Sequence, residues 1–166
     1  MALRRNGCET GPVTEASYLQ SFRQRATAYV LRQRPKLDVE VLVMLHVDHP
    51  DAGVQVPGGG ALAHETPGEA ALREAFEETG VRGLAFGEVV GNMLLNPDCS
   101  MGVWQVSTYS WLTTTDDRDS WEHTVASADG DNGLRMRCEF RPAVKAGLDW
   151  NLDAFLSDAV ARFARP

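Results

Sequence analysis

The chain has 166 residues, 43% hydrophobic and 23% charged, with a formal net charge of −7. A chain of that size can bury a core as one domain without disulfides, and no apolar run approaches the ~20 residues of a membrane span, so no membrane is expected as a partner. The acidic balance speaks against a nucleic-acid-coating surface, and a polyphosphate would need accompanying cations to bind.

Residues 1–21, polar over 1–16 with Gly11 and Pro12, read as an N-terminal extension ahead of one domain over 22–166. Arg4 and Arg5 have no apolar stretch behind them, which does not describe a signal peptide; a cytoplasmic protein is expected. Ala26 to Leu31 and Val39 to Val47 are aliphatic and β-branched and read as strands, the second well buried. Arg32 to Asp38 with Pro35, and His49 to Gly53, suit turns. Val54 to Val56 reads as a short strand running into the glycine loop Gly58-Gly59-Gly60. Thr66, Pro67 and Glu69 then form a capping box with proline at the first helical position, and Gly80 is placed to end that helix. Phe86 to Leu95, Val103 to Leu112, Trp121 to Ser127 and Leu134 to Arg141 alternate as strands, with Asp129 to Gly133 as a hairpin-type connection between the last two. Leu152, Phe155, Leu156, Ala159, Val160 and Phe163 recur at helical spacing, so the chain closes on an amphipathic helix. The pattern is α/β, with helices packed on a mixed sheet.

A helical wheel puts Ala71, Leu72, Ala75, Phe76 and Thr79 on one stripe expected to face the sheet, and Glu74, Glu77 and Glu78 together on another face. Three carboxylates within one turn repel one another, and Arg73 offsets only part of that charge. A hard divalent cation such as Mg2+, held by carboxylates and substrate phosphates, would resolve the surplus. Glycines at 58–60 permit close backbone approach of a ligand or metal. Alone, such a cluster reads as a solvated acidic face.

Its spacing says more. Gly59, five residues, Glu65, seven residues, then Arg73-Glu74-Ala75-Phe76-Glu77-Glu78-Thr79-Gly80-Val81 resembles the Nudix box at every defined position, with Val56-Pro57-Gly58-Gly59 leading into it. Seven positions are fixed in identity, and at ~7% usage each a chance match is on the order of one in a million. Ala75 is smaller than the aliphatic residue usual at its position. The resemblance implies a Nudix-like α/β/α sandwich, with a mixed β-sheet flanked by helices, and a loop–helix–loop that binds Mg2+ or Mn2+. It also implies hydrolysis of a nucleoside diphosphate derivative (a nucleoside triphosphate, nucleotide sugar or ADP-ribose type) by water attack on phosphorus. Carried over by position, Glu74, Glu77 and Glu78 are the metal ligands, with the Gly58 carbonyl as a further one. Glu77, Glu78, Arg73 and Glu65 form the catalytic set, Arg73 orienting the carboxylates and Glu65 bracing the loop. Gly59, Gly60 and Arg73 face the substrate. A homodimer is among the family's usual states.

Candidates for a general base beyond the box are Glu122, Glu139, Asp98 and the Asp116–Asp119 cluster, with Glu122 favoured beside His123. His46-x-x-His49 with Asp48 and Asp51 fits no defined metal motif and reads as a strand entering a proline turn. Trp104, Trp111, Trp121 or Trp150 could stack on a base, though strand tryptophans more often pack the sheet. Pro97 lies near a position where ADP-ribose-cleaving members carry proline, while no tyrosine follows the box within twenty residues to support a dinucleoside polyphosphate. The competing class is a catalytically silent Nudix domain that binds nucleotide as a sensor; the intact box opposes it. An isomerase acting on prenyl diphosphates would need a nucleophilic cysteine near the site. Cys8, Cys99 and Cys138, odd in number and far apart, match neither a disulfide framework nor a zinc site, and read as reduced thiols.

Overall fold

The computed structural model describes residues 22–96, 102–128 and 130–165. Seven strands are present among them: β1 (Phe22–Arg32), β2 (Glu40–His46), β3 (Gly58–Gly60), β4 (Ala85–Leu95), β5 (Trp104–Thr113), β6 (Ser120–Thr124) and β7 (Arg135–Pro142). Two α-helices, α1 (Pro67–Thr79) and α2 (Leu156–Phe163), and two short 3-10 turns, at Pro50–Ala52 and Ala143–Lys145, complete the described elements. The sheet runs β4-β5-β1-β2-β7-β6, with β3 pairing to β1 off that path. It is mixed: β1 and β5 run parallel, from Phe22 opposite Trp104 to Leu31 opposite Thr113, while the other pairs are antiparallel.

Alternation along β1 builds both cores, because successive side chains of a strand point to opposite faces. Ala26, Ala28 and Val30 join Leu42, Met44, Met136 and Cys138 beneath Ala70, Ala71 and Ala75 of α1. Tyr29 and Leu31 join Val41, Val43 and Tyr109 on the other face, packed against Leu156 and Ala159 of α2. The α/β/α sandwich is therefore present, with a different helix on each face.

Several boundaries differ from the sequence reading. β1 begins at Phe22, four residues before the expected strand, which brings Arg23 and Arg25 into the sheet. The segment at Val54 to Val56 supplies only a single bridge, Gln55 to Met44, and the short strand is Gly58–Gly60 instead. Glycine makes that possible: a Cβ at Gly58 would lie 2.5 Å from the Ala26 carbonyl oxygen, so no larger residue can bring the backbone so close to β1. The terminal helix starts only at Leu156: residues 150–155 form turns, opened by positive φ angles of 60° and 57° at Trp150 and Asn151, and Phe155 caps the helix with a non-helical φ of −120°. β6 stops at Thr124, beyond which the Ala126 N–H turns to the Glu77 carbonyl of α1. No helix among the described residues is long and apolar enough to cross a membrane.

Candidate active site

Helix α1 is fixed at its start as its sequence requires. The Thr66 side chain accepts from the Glu69 N–H, and the Glu69 carboxylate accepts from the Thr66 N–H at 2.8 Å, closing a capping box ahead of Pro67. At the far end Gly80 takes a left-handed conformation (φ 61°) and donates to the Phe76 carbonyl. The wheel needs correction between these points. Phe76, expected on the sheet-facing stripe, is 61% exposed, whereas Glu74 and Glu78 are buried together with Ala70, Ala71, Ala75 and Thr79. Alanines let the helix lie close to the sheet, so two carboxylates slip beneath it at the edge facing the glycine loop.

Glycines 58–60 receive those carboxylates. A Cβ at Gly59 would come within 2.4 Å of the Glu74 carboxylate, so any larger residue there would have to displace that side chain. Gly58 donates its N–H to Glu78 Oε2 at 2.8 Å. Its carbonyl, expected to face a metal, accepts from the Arg25 guanidinium at 2.6 Å. Burial pushes the Glu78 carboxyl up to about 8, with Glu74 adding to the rise and the Gly58 N–H and Arg25 opposing it. No lysine or arginine among the described residues forms an ion pair with Glu78.

Arg73 organises the opposite side. It grips Glu65 with two bonds, Nε to Oε1 at 2.6 Å and an Nη to Oε2 at 2.9 Å. It also donates to Glu74 at 2.8 Å, Glu77 at 3.1 Å and the Gly60 carbonyl at 2.9 Å. The bidentate pair holds the Glu65 carboxyl at about 2, well below the ordinary range, and raises the arginine's own value. Glu65 accepts from the Leu62 N–H as well, so loop and helix are tied through one guanidinium.

Buried carboxylates and a nearby backbone carbonyl are hard oxygen donors, and an excess of negative charge at Glu74 and Glu78 is what a divalent cation would neutralise. The donor chemistry fits Mg2+ or Mn2+. Among the described residues no three acidic or histidine side chains converge as a ready-made metal cage, and Arg73 bridges Glu74 and Glu77.

Two cavities open beside the carboxylates. The larger, about 490 Å3, is lined by Phe22, Arg23, Arg25, Gly60, Leu62 and Glu65, among others. The smaller, about 190 Å3, has Gly58 and Glu78 on one wall and Arg25, His46, Gln55 and Asp131 among its polar groups. Arg25 borders both. Neither Arg25 nor His46 was singled out from sequence as a substrate contact; the available signal was the alternation of Arg23 and Arg25 just ahead of an apolar strand run.

The structure does not bring the favoured outside base to the site. β6 alternates, so Trp121 and His123 turn toward α1 while Glu122 is exposed on the other side, opposite Arg137. Glu139 is held between Arg137 and Arg141, and Asp119 pairs with Arg32 and Arg34. Asp116 is buried, bonded to Arg118 and to the Arg82 N–H. Asp98, Pro97, Cys8 and Cys99 lie outside the described residues. His46 and His49 meet edge to ring, 6.2 Å between centroids, and Asp48 pairs with Arg135. Cys138 is buried, its thiol pushed up to about 12, unsuited to nucleophilic attack. Among the tryptophans, Trp111 packs edge-on to Phe163, Trp121 bonds the end of α1, and Trp104 stands 6.4 Å from Phe22, a residue that lines the larger cavity.

The NUDIX domain family matches residues 22–140, a span that includes the whole glycine loop and α1. The chain belongs to this family. Its Nudix box, Gly59 to Val81, is thus the segment on which Arg73 and the buried carboxylates converge. The chain is 37% identical over 108 residues to diphosphoinositol polyphosphate phosphohydrolase 3-beta of Bos taurus, covering 64% of this chain and 60% of that protein. It is 36% identical over 107 residues to diphosphoinositol polyphosphate phosphohydrolase 2 of Mus musculus, covering 64% and 54%. The chain therefore spans somewhat over half the length of the curated relatives it matches. In fold it is similar to the Ap4A hydrolase of C. elegans, with a TM-score of 0.55 at 15% identity, covering 87% of this chain and 97% of that one. A UDP-X diphosphatase is similar in fold as well, TM-score 0.57 at 13% identity, covering 87% and 65%.

Proposed function

We propose that this Nudix domain hydrolyses the phosphoanhydride bond of a nucleoside diphosphate derivative (a triphosphate, nucleotide sugar or ADP-ribose type) by attack of water on phosphorus. The observation that carries the reading is the buried pair Glu74 and Glu78 beneath Gly58 and Gly59, beside cavities bordered by Arg25. Glu74, Glu77 and Glu78, with the Gly58 carbonyl, would hold Mg2+ or Mn2+. When bound, such an ion neutralises phosphate charge and lowers the pKa of water. Arg23 and Arg25 supply cationic N–H donors for phosphate oxygens at the cavity wall. Glu77, more exposed than its two neighbours, would accept the proton of the attacking water, and Arg73 with Glu65 would keep the loop and helix in register. Phe22 offers an aromatic face at the same cavity for a base. A buried free thiol at Cys138 suits a cytoplasmic setting.

A second substrate class follows from the names of the relatives at 35–37% identity: a diphosphoinositol polyphosphate. Among the described residues the larger cavity is lined by two cations, Arg23 and Arg25, which suits a di- or triphosphate better than a ring carrying many phosphates. Turnover decides between them. Purified protein with Mg2+ or Mn2+ is offered nucleoside triphosphates, nucleotide sugars, ADP-ribose and a diphosphoinositol polyphosphate, with products identified in 18O-labelled water. Nucleotide turnover should be lost in chelator and should fall ~100-fold or more in Glu78→Gln. Hydrolysis of the inositol compound alone would move the assignment to that class, and binding without any turnover would support the sensor reading instead.

A further inference from the structure

The end of α1 that carries the carboxylates is electrostatically the wrong end for them. A helix C-terminus has exposed carbonyls and the negative pole of the helix dipole, where cations are favoured and anions are not. Here the last turns hold Glu74, Glu77 and Glu78, and no basic residue lies in the final turn. Compensation comes from outside the helix. His123 Nε2 lies 3.0 Å from the Glu77 carbonyl oxygen, and because a carbonyl only accepts, this nitrogen must carry the proton. Trp121 Nε1 donates to the Thr79 carbonyl at 2.6 Å, and an Arg118 Nη donates to the Gly80 carbonyl at 3.0 Å. The Ala126 N–H adds a second bond to the Glu77 carbonyl at 3.2 Å.

Those donors are themselves held in place. Arg118 lies over the Trp121 ring, 4.0 Å from its centroid, and is anchored by the buried Asp116. The imidazole of His123 packs against Gly80 so closely that a Cβ there would come within 2.7 Å of Nδ1. Gly80 is therefore required twice, for its left-handed turn and for the ring that covers it.

We propose that Arg118, Trp121 and His123 form a positioning clamp that fixes the last turn of α1, and with it the carboxylates of Glu77 and Glu78, without touching substrate. Glu77 is held at both ends, its backbone by His123 and its side chain by Arg73. Groups that orient metal-binding side chains commonly change metal affinity or activity 10–100-fold when removed, so the clamp predicts a defect in ion binding and in the chemical step rather than in substrate recognition. The kinetic half of this inference rests on the hydrolase reading above, while the ion-binding half does not.

The test uses His123→Phe, which keeps a ring against Gly80 but removes the donor, and His123→Gln, which restores an amide donor. Mn2+ affinity of the substrate-free protein is measured by electron paramagnetic resonance, beside kcat, KM and melting temperature. His123→Phe should weaken Mn2+ binding ~10-fold and lower kcat to a similar degree, with KM within ~3-fold and affinity largely regained in His123→Gln. Trp121→Phe, which deletes the bond to Thr79 and trims the ring beneath Arg118, provides the same readout if His123→Phe fails to fold. Unchanged Mn2+ affinity in folded His123→Phe and Trp121→Phe, whatever their melting temperatures, overturns the clamp, as does His123→Gln that binds no better than His123→Phe. A wild type that binds Mn2+ with the predicted dependence yet turns over no substrate would sink the hydrolase reading and leave the clamp standing.

Discussion

Glu78 is the residue whose surroundings depart furthest from water. Its carboxyl rises from 4.5 to about 8 because burial penalises the charged form and Glu74 adds like charge. Between those values the unfolded chain has lost this proton while the metal-free native state keeps it, so the native state binds more protons and stability falls as pH rises. Below 4.5 both states are protonated and the penalty vanishes; above about 8 it is constant. Melting of chelator-treated wild type should therefore drop between pH 5 and 8 more than melting of Glu78→Gln, and a flat difference between the two would refute the assignment. Glu65 works in the opposite sense, held at about 2 by Arg73, so its contribution is present above 4.5 and is lost as pH falls toward 2. Gly59 is the second decisive residue. Gly59→Ala forces a methyl into the Glu74 carboxylate, and displacement of that side chain should cost about 1–3 kcal/mol, measurable as a lowered urea midpoint, with an accompanying loss of turnover.

At the scale of the element, α1 combines a strong start with a burdened end. Removing the cap through Thr66→Ala should cost about 1 kcal/mol and lower Tm by about 2–4 °C. Turnover at saturating substrate should stay within about twofold, because the cap lies three turns from Glu78. A much larger loss of activity would mean that the start of the helix is coupled to the carboxylates. The helix limits were legible in the sequence, since capping box, proline and terminal glycine act through bonds within a few residues. Its buried face was not. A wheel ranks faces by apolarity, and here Ala70, Ala71 and Ala75 let the helix approach so closely that Glu74 and Glu78 are covered while Phe76 is left in solvent. Hydrophobicity could not foresee that, because Glu74 and Glu78 are covered by contacts with Gly59 and Gly58, which lie outside the helix.

Across the whole molecule, one sheet separates the box from α2. Tyr29 ties the second face together: its hydroxyl donates to the Leu152 carbonyl at 2.6 Å and accepts from the Phe155 N–H at 3.3 Å, across more than 120 positions of chain. Burial pushes this phenol above its ordinary range, so it stays a neutral donor. Tyr29→Phe leaves the Leu152 carbonyl without its partner and should destabilise by about 1–3 kcal/mol. Because Ala28 and Val30, not Tyr29, face α1, ion affinity and KM should be unchanged in the folded variant, and a shift in either would show that the two faces communicate.

The sequence by itself determined the family, the box residues and the two ends of α1. Each of these depends on spacing along the chain or on bonds between near neighbours, and each can be read without knowing what packs on what. Only the tertiary structure decided which residues outside the box reach it. Arg25 arrives because β1 starts at Phe22 and pairs with the glycine strand. His123 arrives, and Glu122 turns away, because side chains on β6 alternate and the pairing with β7 chooses the face. A shift of one residue in register would exchange the two, and that register is set by contacts between distant segments.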